Sequence, residues 1–356
     1  MTAVRALARY SAIAIGLAAC SGLAVVRPVT NAPDARDSTA PDDAFDAALG
    51  AGPVTVATDF DVEGHRGARG LRPENTLPAF ETALDLGVDT LELDLHLSAD
   101  DVLVVWHEPG IDRSRCRLDP AATAPLPPDP ETATPEQLAI RALTMAQLRK
   151  YRCDRNPGVA SFPEQTATAT DLALDRYNIG SLADVFDFTA SYATSALKTA
   201  AQRANARRVR FNVETKRNPD VPATIGDGFD GVHPAVFETS LAALVAGRGL
   251  VSRVIVQSFD HRSLWAIRTL EPGLTLSALT LGTVPFAALA AAGASIWSPN
   301  IGFVTRASVD AAHAAGLRVI PWTVNLPDTV RQLVGHGVDG VISDRPDMVL
   351  ASTVRR

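Results

Sequence analysis

The sequence predicts an α/β fold, a (β/α)8 barrel with an inserted segment on its catalytic face. Three observations predict it. Short β-branched runs alternate many times with Ala/Leu-rich stretches of helical spacing, glycine-bearing turns such as Ala315-Gly316-Leu317 and Gly335-His336-Gly337 punctuate them, and polar residues recur at the C-terminal ends of the apolar runs. Repeated alternation argues for a parallel sheet with crossover helices, and in a barrel the C-terminal strand ends converge on the face where active sites are built. A doubly wound open sheet is the competing architecture, but the chain has no G-x-G-x-x-G strand-to-helix turn to support a dinucleotide site.

The elements follow in order. Arg5 and Arg9 precede the apolar run Ile13-Ala14-Ile15-Gly16-Leu17-Ala18-Ala19, too short to span a bilayer but suited to the hydrophobic part of an export signal over residues 1–20. Leu17-Ala18-Ala19-Cys20 has the form of a bacterial lipobox. Cys20 would then be lipidated and anchor an exported lipoprotein to a membrane of the periplasm or cell envelope; a plain secretory signal with an incidental cysteine is the alternative. Residues 21–55, rich in Ala, Pro, Asp and Thr without apolar periodicity, read as a flexible tether, and the folded domain is expected over 56–356.

Within that domain a strand at 60–64 leads into His65, and a helix at 77–86 follows, with Asn75 or Thr76 as its N-cap. A strand at 90–95 carries Glu92 and Asp94, and a hairpin-like strand at 102–107 ends in His107. The insertion, about 110–178, is low in apolar periodicity and holds Pro125, Pro127, Pro128, Pro130 and Pro135. Cys116 and Cys153 are the only cysteines of the expected folded part; in an exported protein they favour a disulfide closing the insertion, with two free buried thiols as the other reading. Alternation then resumes with a helix at 181–204, a strand at 209–214 and a helix at 234–246. Next come a strand at 251–257, a helix at 261–270, strands at 275–279 and 295–298 with a helix at 285–291 between them, a helix at 305–315, a strand at 318–323, a helix at 328–335 and a strand at 340–343.

Composition narrows the function. A chain of 356 residues, 46% hydrophobic and 21% charged, is an ordinary globular protein, and a net charge of -7 without a basic tract argues against a nucleic-acid partner. Glu92 and Asp94 flank Leu93 on a strand, so both carboxylates point to one side while Leu91, Leu93 and Leu95 point to the other. Two such carboxylates repel unless a cation lies between them. A hard divalent ion with oxygen ligands fits, and Glu214 at a later strand end would be the third ligand; pairing with arginines such as Arg66 is the bland alternative. Ca2+ is favoured over Mg2+, because export leads to a calcium-accessible compartment. His65 and His107 offer proton transfer near neutrality, whereas His96, His233, His261, His313 and His336 read as packed or surface residues. Arg66 and Lys216 bring positive charge suited to a phosphate.

The order of these residues adds a resemblance. Gly64-His65-Arg66-Gly67, Pro73-Glu74-Asn75-Thr76, Glu92-Leu93-Asp94 and His107 reproduce the H-R-G, P-E-N-T, E-x-D and H blocks of the glycerophosphodiester phosphodiesterase family. The likeness runs over roughly 63–344 and includes Pro321-Trp322-Thr323-Val324-Asn325 and Gly340-Val341-Ile342-Ser343-Asp344-Arg345-Pro346. It implies metal-dependent hydrolysis of a small glycerophosphodiester to glycerol 3-phosphate and an alcohol. His65 and His107 would be the acid/base pair, and one divalent cation would sit on Glu92, Asp94 and Glu214. Trp322 would wall the glycerol side, with a plain core position as the other reading, and Glu74 would contact ligand; apart from the resemblance, Gln257 at its strand end is placed to hydrogen-bond near the site. A lysophospholipase D or sphingomyelinase D type activity on lipid diesters, and a non-catalytic phosphodiester-binding lipoprotein, are the rival readings.

Overall fold

The structure, a computed structural model, describes residues 52–282 and 284–356. The expected signal, Cys20 and most of the expected tether lie outside the described residues. Eight strands form the barrel: β1 (Asp61–Gly64), β2 (Thr90–Leu97), β3 (Arg210–Thr215), β4 (Val254–Ser258), β5 (Thr275–Thr280), β6 (Ile296–Pro299), β7 (Arg318–Val319) and β8 (Gly340–Ser343). They pair in parallel in the order β8-β1-β2-β3-β4-β5-β6-β7. The remaining seam is crossed by backbone bonds from Asp339 N to Val319 O, Ile342 N to Pro321 O and Val324 N to Ile342 O, each 2.9 Å, so the parallel barrel is nearly closed. Pro321 lacks an N–H, and regular pairing of β7 stops two residues before it, short of the strand expected to run to 323.

β2 shows how sequence periodicity becomes architecture. Leu91, Leu93, Leu95 and Leu97 are fully buried in the main apolar core, while Thr90, Glu92 and Asp94 alternate onto the barrel interior. That interior is divided in two. One half is apolar, with Ile255, Ile296, Ile320 and Ile342 in a cluster beneath Trp322. The other half is a hydrogen-bonded polar column: Thr90 Oγ1 donates to Asp61 (2.8 Å), Asn212 Nδ2 donates to Glu63 (2.7 Å) and Gln257 (3.1 Å), and Gln257 Nε2 donates to Glu92 (2.8 Å). Burial, reinforced by the neighbouring Asp61, pushes the Glu63 carboxyl well above the usual range; a neutral acid avoids the cost of an unpaired buried charge.

The first helix, Leu77–Leu86, starts at Thr76, whose side chain accepts from Ala79 N, and stops at Gly87 with φ 89°. Of the two candidate caps, Thr76 takes the role. The helix expected over 181–204 is two helices, Leu182–Tyr192 and Ala200–Arg208, each opened by its own capping box, Ser181 with Asp184 and Thr199 with Gln202. Thr199-x-x-Gln202 is a start signal in the middle of that stretch. The strand expected at 102–107 shortens to Leu103–Val105 and pairs antiparallel with β2, hairpin-like as expected. Residues Val251–Arg253 form a 3-10 turn ahead of β4. The unanticipated helix Pro346–Ser352 leads to a strand, Thr353–Arg355, that pairs in parallel with Val54–Val56.

The insertion has a core of its own, in which Trp106, Ile111, Leu138, Ile140, Leu148 and Tyr151 pack around Cys116 and Cys153. Those two cysteines are bonded, S–S 2.08 Å. Trp106 turns into this cluster and donates from Nε1 to Gly110 O, away from the partly exposed His107.

Candidate active site

Register brings the acidic trio together. Glu92 and Asp94 share one side of β2, and Glu214 on β3 lies directly opposite Asp94. One oxygen from each of the three buried carboxylates falls within 4.8 Å of the others. Every one is oriented from behind: Glu92 accepts from Arg66 N (2.8 Å) and Gln257 Nε2 (2.8 Å), Asp94 from Asn75 Nδ2 (2.8 Å), and Glu214 from Lys216 Nζ (2.8 Å). Oδ1 of Asp94 is buried without a hydrogen-bond partner. Burial, with Asp94 and Glu214 adding repulsion, raises Glu92 well above the usual carboxylate range. Burial likewise pushes Glu214 up to about 6. Asp94 moves the other way: burial opposes its charge, but Arg66, His107 and Lys216 outweigh it and hold the carboxyl well below the usual range. Three convergent oxygen ligands, one of them orphaned and two reluctant to ionise without added positive charge, fit a hard divalent cation.

His65, at the end of β1, presents Nδ1 to Asp344 Oδ1 at 2.6 Å and Nε2 to Glu92 Oε2 at 3.9 Å. Asp344 follows β8, and Asn325 fixes it by donating to Oδ2 (3.0 Å) and accepting from its backbone N (2.9 Å). Burial would push Asp344 up, yet His65, Arg69 and Asn325 together hold it down at about 2. His107 faces Glu108 Oε1 through Nδ1 at 3.1 Å. Burial first, then Arg66 and Lys216, lower its imidazole to about 4, so the ring is neutral at physiological pH. His96, read as a packed residue, is buried and donates from Nε2 to His107 O at 3.1 Å.

Around this centre runs a guanidinium cluster. Glu74 receives Arg66 (2.8 Å), Arg69 (2.6 Å) and Arg115, the last supplied by the insertion. Arg66 Nε lies 3.2 Å from Asp94, and Lys216 Nζ lies 3.6 Å from the same carboxylate. Arg66 and Asn75 both adopt left-handed backbone, φ 50° and 56°, a conformation tolerated by Asn but rare for Arg; it lets Arg66 give Glu92 its backbone N–H and Asp94 its side chain. Gly67, φ 89°, turns tightly against the first helix, where a Cβ would lie 2.7 Å from the Ala79 carbonyl carbon.

Of the residues singled out in the sequence, His65, Arg66, Glu74, Glu92, Asp94, Glu214, Lys216 and Gln257 are joined by these contacts, and His107 joins through Glu108, which Arg115 ties to Glu74. Gln257 stands behind Glu92 and is buried. Trp322 stands at the mouth's apolar half, edge-to-face with Phe259 at 5.6 Å, its Nε1 donating to Ser298 O. Sequence reasoning assigned no role to Asp344, Asn325, Asn212, Glu108, Arg69 or Arg115. Asp344 obeys the same strand-end rule that picked out His65, so its signal was present.

An eight-stranded parallel barrel with a carboxylate cluster and a histidine beside it at the C-terminal strand ends has its candidate site where barrel enzymes of this class build theirs. The sequence pattern of the Glycerophosphoryl diester phosphodiesterase family matches residues 65–348. The chain belongs to this family of phosphoric diester hydrolases. It is 28% identical over 287 residues to a glycerophosphodiester phosphodiesterase of Bacillus altitudinis, spanning 80% of this chain and 94% of that one. A structure from Silicibacter pomeroyi assigned to the glycerophosphoryl diester phosphodiesterases superposes with a TM-score of 0.65 at 27% identity, over 83% of this chain and 92% of the other. A phosphodiesterase of Oleispira antarctica, solved with its product sn-glycerol-3-phosphate, shares the fold at TM-score 0.58 and 18% identity, over 82% and 96%.

Proposed function

We propose that this barrel hydrolyses glycerophosphodiesters to glycerol 3-phosphate and an alcohol, with one divalent cation on Glu92, Asp94 and Glu214 and with His65 and His107 moving the protons. The observation that carries the reading is the convergence of three buried carboxylates within 4.8 Å beside an imidazole 3.9 Å from one of them. A bound cation would supply positive charge that offsets the negative charge gathered on the phosphoryl oxygens. Arg66 and Lys216 add to that charge from the same wall, and preorganised donors of this kind are worth roughly 3 kcal/mol each. His107, neutral, takes the proton of the attacking glycerol hydroxyl as the new P–O bond closes a cyclic phosphate. His65, backed by the ionised Asp344, returns a proton to the departing alcohol. Water then opens the ring with the two roles exchanged. Ca2+ is the proposed ion.

Initial rates on glycerophosphocholine, measured after chelation and after readdition of Ca2+ or Mg2+, test the reading. Activity that survives chelation, or a purified His107→Ala protein with near-wild-type turnover, would sink it. Two supports attach export and lipidation at Cys20 to the proposal: the signal pattern, and the Cys116–Cys153 bond, since disulfides persist in oxidising compartments. A Cys20→Ser protein that stays in the membrane fraction would refute the anchor. One observation favours the second reading, a lysophospholipid diester: Phe259, Leu281, Phe303 and Leu326, all exposed, follow the ends of β4, β5, β6 and β7 on the apolar half of the mouth.

A further inference from the structure

Arg115 lies in the insertion, immediately before Cys116 of the disulfide. Its guanidinium pairs with Glu74 and, at 3.3 Å in each case, with Glu108 Oε1 and Asp112 Oδ2. The same Glu108 oxygen faces His107 Nδ1 at 3.1 Å, whereas Oε2 of Glu108 is buried without a hydrogen-bond partner. Glu108 is therefore gripped at one oxygen, between His107 and Arg115. Glu74 is held differently, since Arg66 and Arg69 bind it as well.

The insertion fixes where Arg115 stands. Arg115 N and Cys116 N both donate to Asp112 O (3.0 and 2.8 Å), and Arg115 O accepts from Arg155 N (3.1 Å). Beyond Cys116 the chain runs antiparallel to its partner segment, Arg117 opposite Arg152 and Leu118 opposite Tyr151, with Asp119 N donating to Lys150 O at 2.8 Å and Arg117 pairing with Asp154 at 2.6 Å. So short a ladder is weak by itself, and the covalent link to Cys153 ties it directly beside Arg115.

We propose that Arg115 is a positioning residue for His107, delivered to the catalytic mouth by the Cys116–Cys153 disulfide and acting through Glu108. The inference rests on the role given to His107 above. A guanidinium opposite Glu108 keeps that carboxylate against Nδ1, which fixes the tautomer of the ring and leaves Nε2 for the substrate. Without Arg115 the Glu108 oxygen is held by His107 alone, so carboxylate and ring can swing together and the imidazole loses its fixed reference.

The test uses the whole protein, with glycerophosphocholine as substrate and Ca2+ affinity measured separately by calorimetry. Arg115→Ala should lower kcat about tenfold or more while KM and Ca2+ Kd stay within twofold, and Arg115→Lys should recover part of the loss. Because Glu74 keeps two arginines, the alanine variant retains its buried pairings. Cys116→Ser/Cys153→Ser should lower kcat several-fold in the parent and not further once Arg115 is alanine, as two changes on one route are non-additive. A kcat for Arg115→Ala within twofold of the parent would overturn the proposal, as would equal losses from removing the disulfide with and without Arg115. If the serine pair does not fold, the Ala and Lys variants decide alone. Full activity in His107→Ala would instead defeat the functional reading, so the two failures are distinct.

Discussion

Replacing Asp344 with Asn isolates one charge. The amide keeps the shape of the side chain and the backbone bond to Asn325 Oδ1, but it puts a neutral acceptor where an ionised oxygen stands 2.6 Å from His65 Nδ1 and turns its NH2 towards Asn325 Nδ2, giving up the bond accepted there. Asp344 is buried and its carboxyl is held at about 2 against a reference of 3.8. That difference corresponds to roughly 2 kcal/mol of preference for the charged form. If most of it supports His65 when the ring carries an extra proton, kcat should fall roughly 30-fold, with KM little changed because substrate binding does not need that proton. The lowered acid also sets a pH dependence. Its stabilising contribution is present above about pH 4 and is lost as pH falls through about 2; Asp344→Asn should therefore flatten the fall in stability over that window. Glycerol 3-phosphate release gives kcat, and urea titrations between pH 2 and 5 give stability. A variant with kcat within twofold of the parent would refute the argument that Asp344 backs His65.

Four further outcomes are expected. Asn75→Gly keeps the left-handed backbone and removes the amide that orients Asp94, so Ca2+ affinity measured by calorimetry should weaken 10- to 100-fold. Cation binding near pH 6 should release protons, seen as a dependence of the apparent enthalpy on buffer, because Glu92 and Glu214 are raised in the empty cluster. By the same sign, the metal-free protein should gain stability as pH falls from about 6 towards 4.5, since the folded chain takes up the Glu214 proton first. Gly67→Ala forces a Cβ against Ala79 at φ 89° and should cost about 2–4 kcal/mol in denaturant unfolding.

Much of this site was legible because strand periodicity and strand-end position are local properties. Glu92 and Asp94 at i and i+2, with Glu214 at another strand end, could be assigned to one cluster before any coordinates. Partnerships made by barrel closure were not local. Asp344 meets His65 across 279 positions of sequence, only because β8 lies beside β1. Arg115 sits in a segment without apolar periodicity, and nothing in its neighbours says that it returns to Glu74. The split of the 181–204 helix was a different failure, in which even apolar spacing hid the second capping box at Thr199. The strand Thr353–Arg355 went unread because three residues carry too little pattern to distinguish a strand from a frayed helix end.

That last strand has a topological consequence. Val54–Val56 and Thr353–Arg355 lie side by side, and Arg355 reaches Phe60 O, just ahead of β1, on the floor of the barrel away from the carboxylates. Parallel pairing over three residues sets the start of one strand about 10 Å from the end of the other. A bridge of a few glycines and serines could therefore seal the domain into a ring at its base. The chain could then be reopened at a surface loop elsewhere, giving a circularly permuted barrel whose catalytic mouth is left untouched.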